Sequence, residues 1–234
     1  MPTDIPSSRQ ARTLPGVELL WSGRVSDHIA GVLAERHILD SEESKRLAAF
    51  VRDADRDSYA VAHVMLRRLL GEWLGQAPEA VTLSREPCAH CGGPHGRPVV
   101  PGSPVHFSLS HTSGLVMIAL ATASVGIDVE GVPDDPGIVT DVASQLHQKE
   151  RADLAALPAE DRAVAFARCW TRKEALLKAT GVGLNEGLAL TYVGAGAQPA
   201  VNAEWLLADL SADPGYTAAV AVRRATPAPT PASQ

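Results

Sequence analysis

Two acidic residues lie close together on one predicted β-strand, where they could bind a cation. The segment 125–130 reads VGIDVE. Side chains alternate between the two faces of a strand, so Asp128 and Glu130 share one face and the three β-branched residues share the other. Two like charges side by side repel each other unless a positive group lies between them. The pair therefore predicts either two solvent-facing acids at a sheet edge or part of a site for a hard cation.

A third acidic residue lies at the margin of the buried face of a predicted helix. Glu174 falls about 40° from Trp170 when residues advance about 100° along a helix. A partly buried carboxylate needs a partner, and Lys178, one turn later, could supply it as an ordinary helical ion pair. The alternative is that Glu174 joins Asp128 and Glu130 around Mg²⁺, which prefers oxygen ligands and shares its shell with substrate phosphates.

The segment 107–114, FSLSHTSG, brings hydroxyls, an imidazole and turn amides to the end of another predicted strand. Ser108 and Ser110 face the same side, and His111 enters the turn. If consecutive strands pair, this end meets the acidic pair and offers an anion site. Ser110, His111 and Asp128 are also the residue types of a serine hydrolase. However, sequence neighbours on an extended chain point apart, and the nucleophile elbow G-x-S-x-G is missing.

Hydrophobic periodicity indicates the elements that would position these groups. Helix patterns cover about 57–74 and 159–180, and a further helix begins with Ser41 as its N-cap. Strand patterns lie at 81–83, 105–110, 115–122, 125–130, 188–193 and 216–222. This order of helices and strands predicts an α/β or α+β fold.

Composition limits the functional class. The 234 residues are 45% hydrophobic and 21% charged, which is ordinary for a globular protein and rules out a wholly disordered chain. The formal net charge of −6 gives no global positive field for nucleic acid. The longest apolar run is far shorter than the roughly 20 residues that span a bilayer, and the first ten residues lack a signal-peptide pattern. We therefore expect a cytoplasmic protein with neither nucleic-acid nor membrane partners.

Four motifs, in order, closely resemble those of the surfactin-type 4′-phosphopantetheinyl transferases. They are GRP at 96–98, FSLSH at 107–111, GIDVE at 126–130 and WTRKEALLK at 170–178. The family patterns are G-[KR]-P, F-x-x-S-H, G-[IV]-D-[IVL]-E and W-[ST]-x-K-E-[AS]-x-x-K. The matched stretch covers 96–178, and the chain length resembles the two-lobed type rather than the shorter, trimeric holo-carrier-protein synthases.

The resemblance implies a fold of two similar α/β subdomains in a pseudo-dimeric arrangement, each a small antiparallel sheet packed against a long helix. The subdomains would cover 14–122 and 123–224, joined near 121–124, with coenzyme A bound between them in a monomeric protein. Residues 1–13 are expected to be flexible, and the Pro/Ala-rich tail at 225–234 disordered.

The resemblance also implies an activity: Mg²⁺-dependent transfer of 4′-phosphopantetheine from coenzyme A to a serine of an acyl or peptidyl carrier protein. Such carriers serve fatty acid, polyketide or nonribosomal peptide synthesis. Asp128, Glu130 and Glu174 would hold Mg²⁺ on the coenzyme A pyrophosphate, and Lys178 would contact phosphate. Either Glu174 or a metal-bound water would take the proton of the carrier serine.

Contacts to coenzyme A follow from the same resemblance. Ser110 and His111 would bind its phosphates, with His111 near the 3′-phosphate, and Arg97 would hold the nucleotide end. Family members often carry an Arg early in the first long helix, where this chain has 57–59, DSY. Further candidate contacts to phosphate are therefore Lys45, Arg46, Arg52 and Arg56.

Two features lie outside these motifs. Cys88, Cys91 and His95 offer three possible zinc ligands of the four that a closed site needs; otherwise the segment is a loop of small residues. On the predicted helix 159–180, basic residues form a face that could meet an acidic carrier protein or simply be solvated. These residues are Arg168, Arg172 and Lys173.

Two other functional classes remain open from the sequence. One is a different Mg²⁺-dependent nucleotide or phosphoryl-transfer enzyme, which would turn over without a protein acceptor. The other is a non-catalytic module that binds a carrier protein or zinc.

Overall fold

The computed structural model describes residues 9–10, 14–88, 92–93, 96–112, 114–182 and 187–225. In chain order its elements are β1 (Arg9–Gln10), β2 (Val17–Arg24), α1 (Val25–Ala34), α2 (Ser41–Ala48), α3 (Asp53–Leu74), β3 (Ser84–Arg85), β4 (Pro98–Val99), β5 (His106–Thr112), β6 (Leu115–Ala121), β7 (Val125–Gly131), α4 (Pro136–Ala143), α5 (Gln148–Ala155), α6 (Ala159–Thr180), β8 (Trp205–Leu210) and β9 (Tyr216–Arg223), with 3₁₀ turns at Arg36–Ile38 and Pro78–Ala80. None of these helices is both long and apolar enough to cross a bilayer.

Two antiparallel sheets form the framework. The first has the strand order β1-β2-β6-β5, and the second has the order β7-β9-β8. A short ladder of β3 and β4 pairs Ser84 with Val99 and Arg85 with Pro98. The mixture of helices and small antiparallel sheets confirms the predicted α/β (α+β) class. The subdomain boundaries, 14–122 and 123–224, stay a prediction.

Buried apolar residues form three clusters, each of which lies between two layers of the fold. The first lies between α3 and the first sheet and includes Leu66 and Ile118. The second joins the inner faces of the two sheets and includes Met117 and Ile127. The third lies between α6 and the second sheet and includes Phe166. Each sheet therefore packs against one long helix, and the two sheets meet face to face.

Strand β7 lies directly against α6 because Gly126 has no side chain. A Cβ at Gly126 would overlap the carbonyl group of Ala175. Ile127 and Val129 face the cluster between the sheets and are fully buried. Strand alternation therefore turns Asp128 toward α6, and this close approach carries that carboxylate to the functional residues of the helix.

Three predicted elements are corrected by the hydrogen bonding. Helix α2 is capped by Asp40, not Ser41, because the Asp40 side chain accepts the first free amides of the helix. The strand predicted at 188–193 is wrong. Lys173 of α6 donates a hydrogen bond to the Thr191 carbonyl, and Glu150 of α5 accepts one from the Val193 amide. The strand predicted at 81–83 is also wrong, since the Val81 carbonyl bonds to Arg67 and the ladder begins at Ser84.

The order of strand pairing also differs from the expectation that consecutive strands pair. Strands β5 and β6 pair as expected, but β7 pairs with β9 and belongs to the other sheet. The longest helix predictions hold best, and α6 begins and ends at the predicted residues. Strand β2 and helices α1, α4 and α5 were not predicted.

Candidate active site

Asp128 lies at the centre of a polar cluster built from β5, β7 and α6. Its side chain is buried, and its Oδ1 accepts hydrogen bonds from Ser110 Oγ at 2.8 Å and Lys178 Nζ at 2.7 Å. Lys178 Nζ also lies 3.0 Å from Ser110 Oγ. The structure therefore brings the acidic strand, the motif helix and the serine-rich strand together, while the roles of their residues stay predictions.

The two serines of the FSLSH segment hold the strands of this cluster together. Ser108 Oγ accepts the backbone N–H of Ile127 at 3.0 Å, which ties β5 to β7 across the boundary between the sheets. Ser110 binds the carboxylate of Asp128. Both serines are buried, so their hydroxyls orient the neighbouring groups.

The three acidic residues influence one another electrostatically. Burial and the negative charges of Asp128 and Glu130 raise the pKa of Glu174 to about 7, although Lys178 opposes this rise. Burial and Asp128 also raise the pKa of Glu130, against Lys178 and a hydrogen bond with Thr112. The ammonium of Lys178 pairs with Asp128 rather than forming the helical pair with Glu174.

The donor types at this cluster fit a hard cation such as Mg²⁺. Asp128 Oδ2 is buried and has no hydrogen-bond partner among the described residues, and the pKa of Glu174 is raised by burial and by the negative charges of Asp128 and Glu130. Both features would be relieved by a bound cation. Within the described ranges, however, no three His, Cys, Asp or Glu side chains are grouped as a ready-made metal site. Coordination by all three acids therefore stays a prediction.

A cleft of about 360 Å³ opens beside this cluster. Glu174 and Lys178 line this cleft together with Phe107 and Arg97. The Arg97 guanidinium donates hydrogen bonds to Glu86 Oε2 and, through Nη1, to the backbone carbonyl of Ala179 in α6. Arg97 thus lines the cleft, while its guanidinium is bonded to protein groups, and its predicted contact with the nucleotide end of coenzyme A stays a prediction.

A larger cleft of about 1050 Å³ adjoins the first, since Pro98, Phe107 and Leu109 line both. Its other lining residues are Asp40, Glu42, Glu43, Lys45, Arg46, Phe50, Tyr59, His63, Leu66, Leu83, Ser84, Arg85 and His111. The lining of this cleft therefore combines basic groups, aromatic rings and acidic side chains. The two clefts together can hold an elongated anion.

His111 lies between the larger cleft and the polar cluster. The protein atoms around the ring lower its pKa, and the positive charges of His63, Lys178 and Arg46 add to this effect, with Asp55 opposing it. A bound anion would favour the charged imidazolium. The position of His111 thus matches the predicted phosphate contact, although the contact itself stays a prediction.

The other predicted basic contacts divide into two groups. Lys45 and Arg46 line the larger cleft. Arg56 pairs with acidic neighbours on its own helix and lines a separate hollow against α1 and α2. Arg52 is exposed and pairs with Asp55. The structure therefore brings Lys45 and Arg46 toward His111 and does not bring Arg52 or Arg56 to that cleft.

The floor of the larger cleft is an ionic network that the sequence reasoning missed. Arg67 is almost fully buried and donates to Glu43 Oε2 at 2.5 Å and to Asp40 Oδ2 at 2.6 Å. Glu43 also bonds His63, whose ring stacks on Tyr59 with centroids 4.0 Å apart. A signal was present, because an arginine inside the apolar stripe of a helix needs buried partners.

Two of the three residues in the basic face predicted on α6 do not lie at the surface, whereas Arg168 is partly exposed. Arg172 and Lys173 are fully buried. Arg172 binds both carboxylate oxygens of Asp209, and Lys173 binds Glu150. A docking role for these two side chains is therefore wrong, because buried charges are held by partners from distant parts of the chain.

The predicted zinc ligands cannot be placed together. Cys91 and His95 lie outside the described residues, and Cys88 lies in the loop after β3. The zinc site stays a prediction.

Comparison with known proteins gives consistent matches. A family model described as the 4′-phosphopantetheinyl transferase superfamily matches residues 124–221. The chain is 33% identical over 193 residues to 4′-phosphopantetheinyl transferase psf-1 of Bacillus pumilus, covering 77% of this chain and 78% of the relative. It is 30% identical over 192 residues to HetI of Nostoc, covering 79% and 78%. It is 27% identical over 210 residues to ffp of Bacillus subtilis, covering 84% and 92%.

Proposed function

Because the chain belongs to the 4′-phosphopantetheinyl transferase superfamily, we propose that it transfers 4′-phosphopantetheine from coenzyme A to a serine of an acyl or peptidyl carrier protein, with Mg²⁺. The observation that carries this proposal is the cluster of Asp128, Ser110 and Lys178, with Glu174 beside it on the cleft wall. An ammonium that stabilises phosphate charge and a carboxylate that can accept a proton suit phosphoryl transfer to a hydroxyl. We expect a monomeric enzyme.

The two adjoining clefts support coenzyme A as the donor. Its nucleotide end carries most of the negative charge, and the larger cleft offers Lys45, Arg46 and His111. In this arrangement the pyrophosphate would lie toward Lys178 in the smaller cleft. Complementary charge of this kind favours binding and orients an anionic ligand.

Each residue of the cluster has a distinct part in the proposed reaction. The carrier serine oxygen forms a bond to the β-phosphorus of coenzyme A, the bond to 3′,5′-ADP breaks, and 3′,5′-ADP leaves with the electron pair. Lys178 would stabilise this developing charge. Glu174 would accept the serine proton; its raised pKa of about 7 belongs to the protein without a cation, and a bound Mg²⁺ would lower that pKa.

Asp128 and Ser110 would keep the ammonium of Lys178 in place, since both bond to it. Mg²⁺, held by Asp128, Glu130 and Glu174, would neutralise charge on the phosphates. The buried Oδ2 of Asp128 supports its part in this donor set.

Mass spectrometry of an apo carrier protein tests the proposal. Incubation with the enzyme, coenzyme A and Mg²⁺ should add about 340 Da, the mass of one phosphopantetheine group, to the carrier by phosphoryl transfer. Release of 3′,5′-ADP without a carrier would favour a different nucleotide enzyme. An unmodified carrier across acyl and peptidyl types would refute the proposal.

A further inference from the structure

Arg97 joins the segment between β3 and β4 to the C-terminal end of α6. Its Nε and Nη2 donate to Glu86 Oε2 at 3.1 and 2.8 Å, and its Nη1 donates to the Ala179 carbonyl at 2.8 Å. The backbone of Arg97 is also fixed, because its carbonyl accepts the Glu86 amide at 2.9 Å. One guanidinium thus spans two parts of the chain that are 82 residues apart.

Two glycines shape the surroundings of this bridge. Gly181 ends α6 with a positive φ of 75°, and a Cβ there would lie 3.1 Å from Arg97 Cγ. Gly96 packs against the Glu86 carbonyl, with which a Cβ would overlap. The aliphatic part of the Arg97 side chain therefore packs against Gly181 at the end of α6, and three hydrogen bonds restrain its guanidinium group.

The helix end that Arg97 holds carries the functional side chains. Lys178 immediately precedes Ala179, the residue whose carbonyl Arg97 binds, and Glu174 lies one turn earlier. Glu86 compensates the charge of Arg97, which reduces its attraction for a ligand phosphate. Displacing a catalytic group by about 1 Å can slow a reaction roughly a hundredfold.

We propose that Arg97 is a positioning residue that fixes the last turn of α6, and with it Lys178 and Glu174, through its paired contacts to Glu86 and the Ala179 carbonyl. This inference rests on the proposed function. It differs from a direct contact between Arg97 and coenzyme A, which the motif resemblance implies. A lysine keeps the charge but cannot make the forked contact, so the two roles can be separated.

The experiment compares R97K and E86Q with the unchanged enzyme in steady-state transfer to a carrier protein. If Arg97 positions the helix, both variants lower kcat, R97K by about tenfold or more, while KM for coenzyme A changes little. If Arg97 instead binds phosphate, R97K raises KM with kcat retained, and E86Q lowers KM because it frees the positive charge. The second pattern would overturn the inference.

R162K is the matched control, because Arg162 lies on the same helix, is exposed, and bonds carbonyls near its N-terminal end. It should leave kcat and KM unchanged.

Amide hydrogen exchange supplies a readout independent of turnover. R97K should speed exchange in residues 177–181, where the Gly181 amide bonds the Leu177 carbonyl, and unchanged exchange there would contradict the proposal. If the enzyme without substitutions shows no transfer activity, the proposed function is wrong. The comparison of hydrogen exchange would still test whether Arg97 fixes the end of α6.

Discussion

Replacing Glu174 by glutamine should stabilise the fold at alkaline pH while abolishing transfer. Burial and two neighbouring carboxylates raise the pKa of Glu174 from 4.5 to about 7. In the folded protein the acid therefore binds its proton more tightly than in the unfolded chain, so stability falls as pH rises from about 4.5 to 7. At about 1.4 kcal/mol per pH unit, the loss is about 3 kcal/mol above pH 7.

Glutamine resembles the protonated acid and carries no charge, so it avoids this loss. Urea unfolding measured with a chelator present should show E174Q more stable than the unchanged protein at pH 8 by about 3 kcal/mol. The two proteins should be nearly equal at pH 4.5. The matched control is E204Q, since Glu204 is exposed, and it should show no such pH-dependent gain.

Equal stabilities of E174Q and the unchanged protein at pH 8 would refute the electrostatic reasoning, as would a gain of the same size at both pH values. A loss of function that accompanies a gain in stability is the expected signature of an active site that strains its fold. Adding Mg²⁺ at pH 8 should narrow the gap by stabilising the protein with all three acids more than E174Q, which keeps only two of them.

Four further predictions follow from the site. Asp128→Ala should reduce transfer at least a hundredfold with the fold retained, as measured by carrier mass and circular dichroism. Gly126→Ala should lower stability by about 2–3 kcal/mol in urea unfolding, because the new methyl group overlaps the Ala175 carbonyl. The KM for coenzyme A should fall as the pH drops below about 6.5, where His111, whose pKa is lowered from that value, gains its proton, and His111→Gln should flatten this profile. Chelation of Mg²⁺ should stop transfer, and added Mg²⁺ should restore it in the same mass assay.

Local regularity accounts for the parts of the fold that the sequence predicted. Strand alternation alone placed Asp128 and Glu130 on one face. Helical periodicity between Pro158 and Gly181 gave the bounds of α6, and it placed Glu174 at the margin of the buried face. These features repeat every two or 3.6 residues, so neighbouring residues are sufficient to reveal them. The motifs then indicated the family, which the relatives confirm.

Contacts between distant residues account for what the sequence did not reveal. Lys178 pairs with Asp128, fifty residues earlier, and Arg172 and Lys173 are buried only because Asp209 and Glu150 reach them. A charged residue on a helix looks solvated until its partner is known, because the desolvation penalty and the compensating ion pair arise together. The amino-acid sequence therefore determined which groups share a face, and the tertiary structure decided which charges meet and which remain available to a substrate.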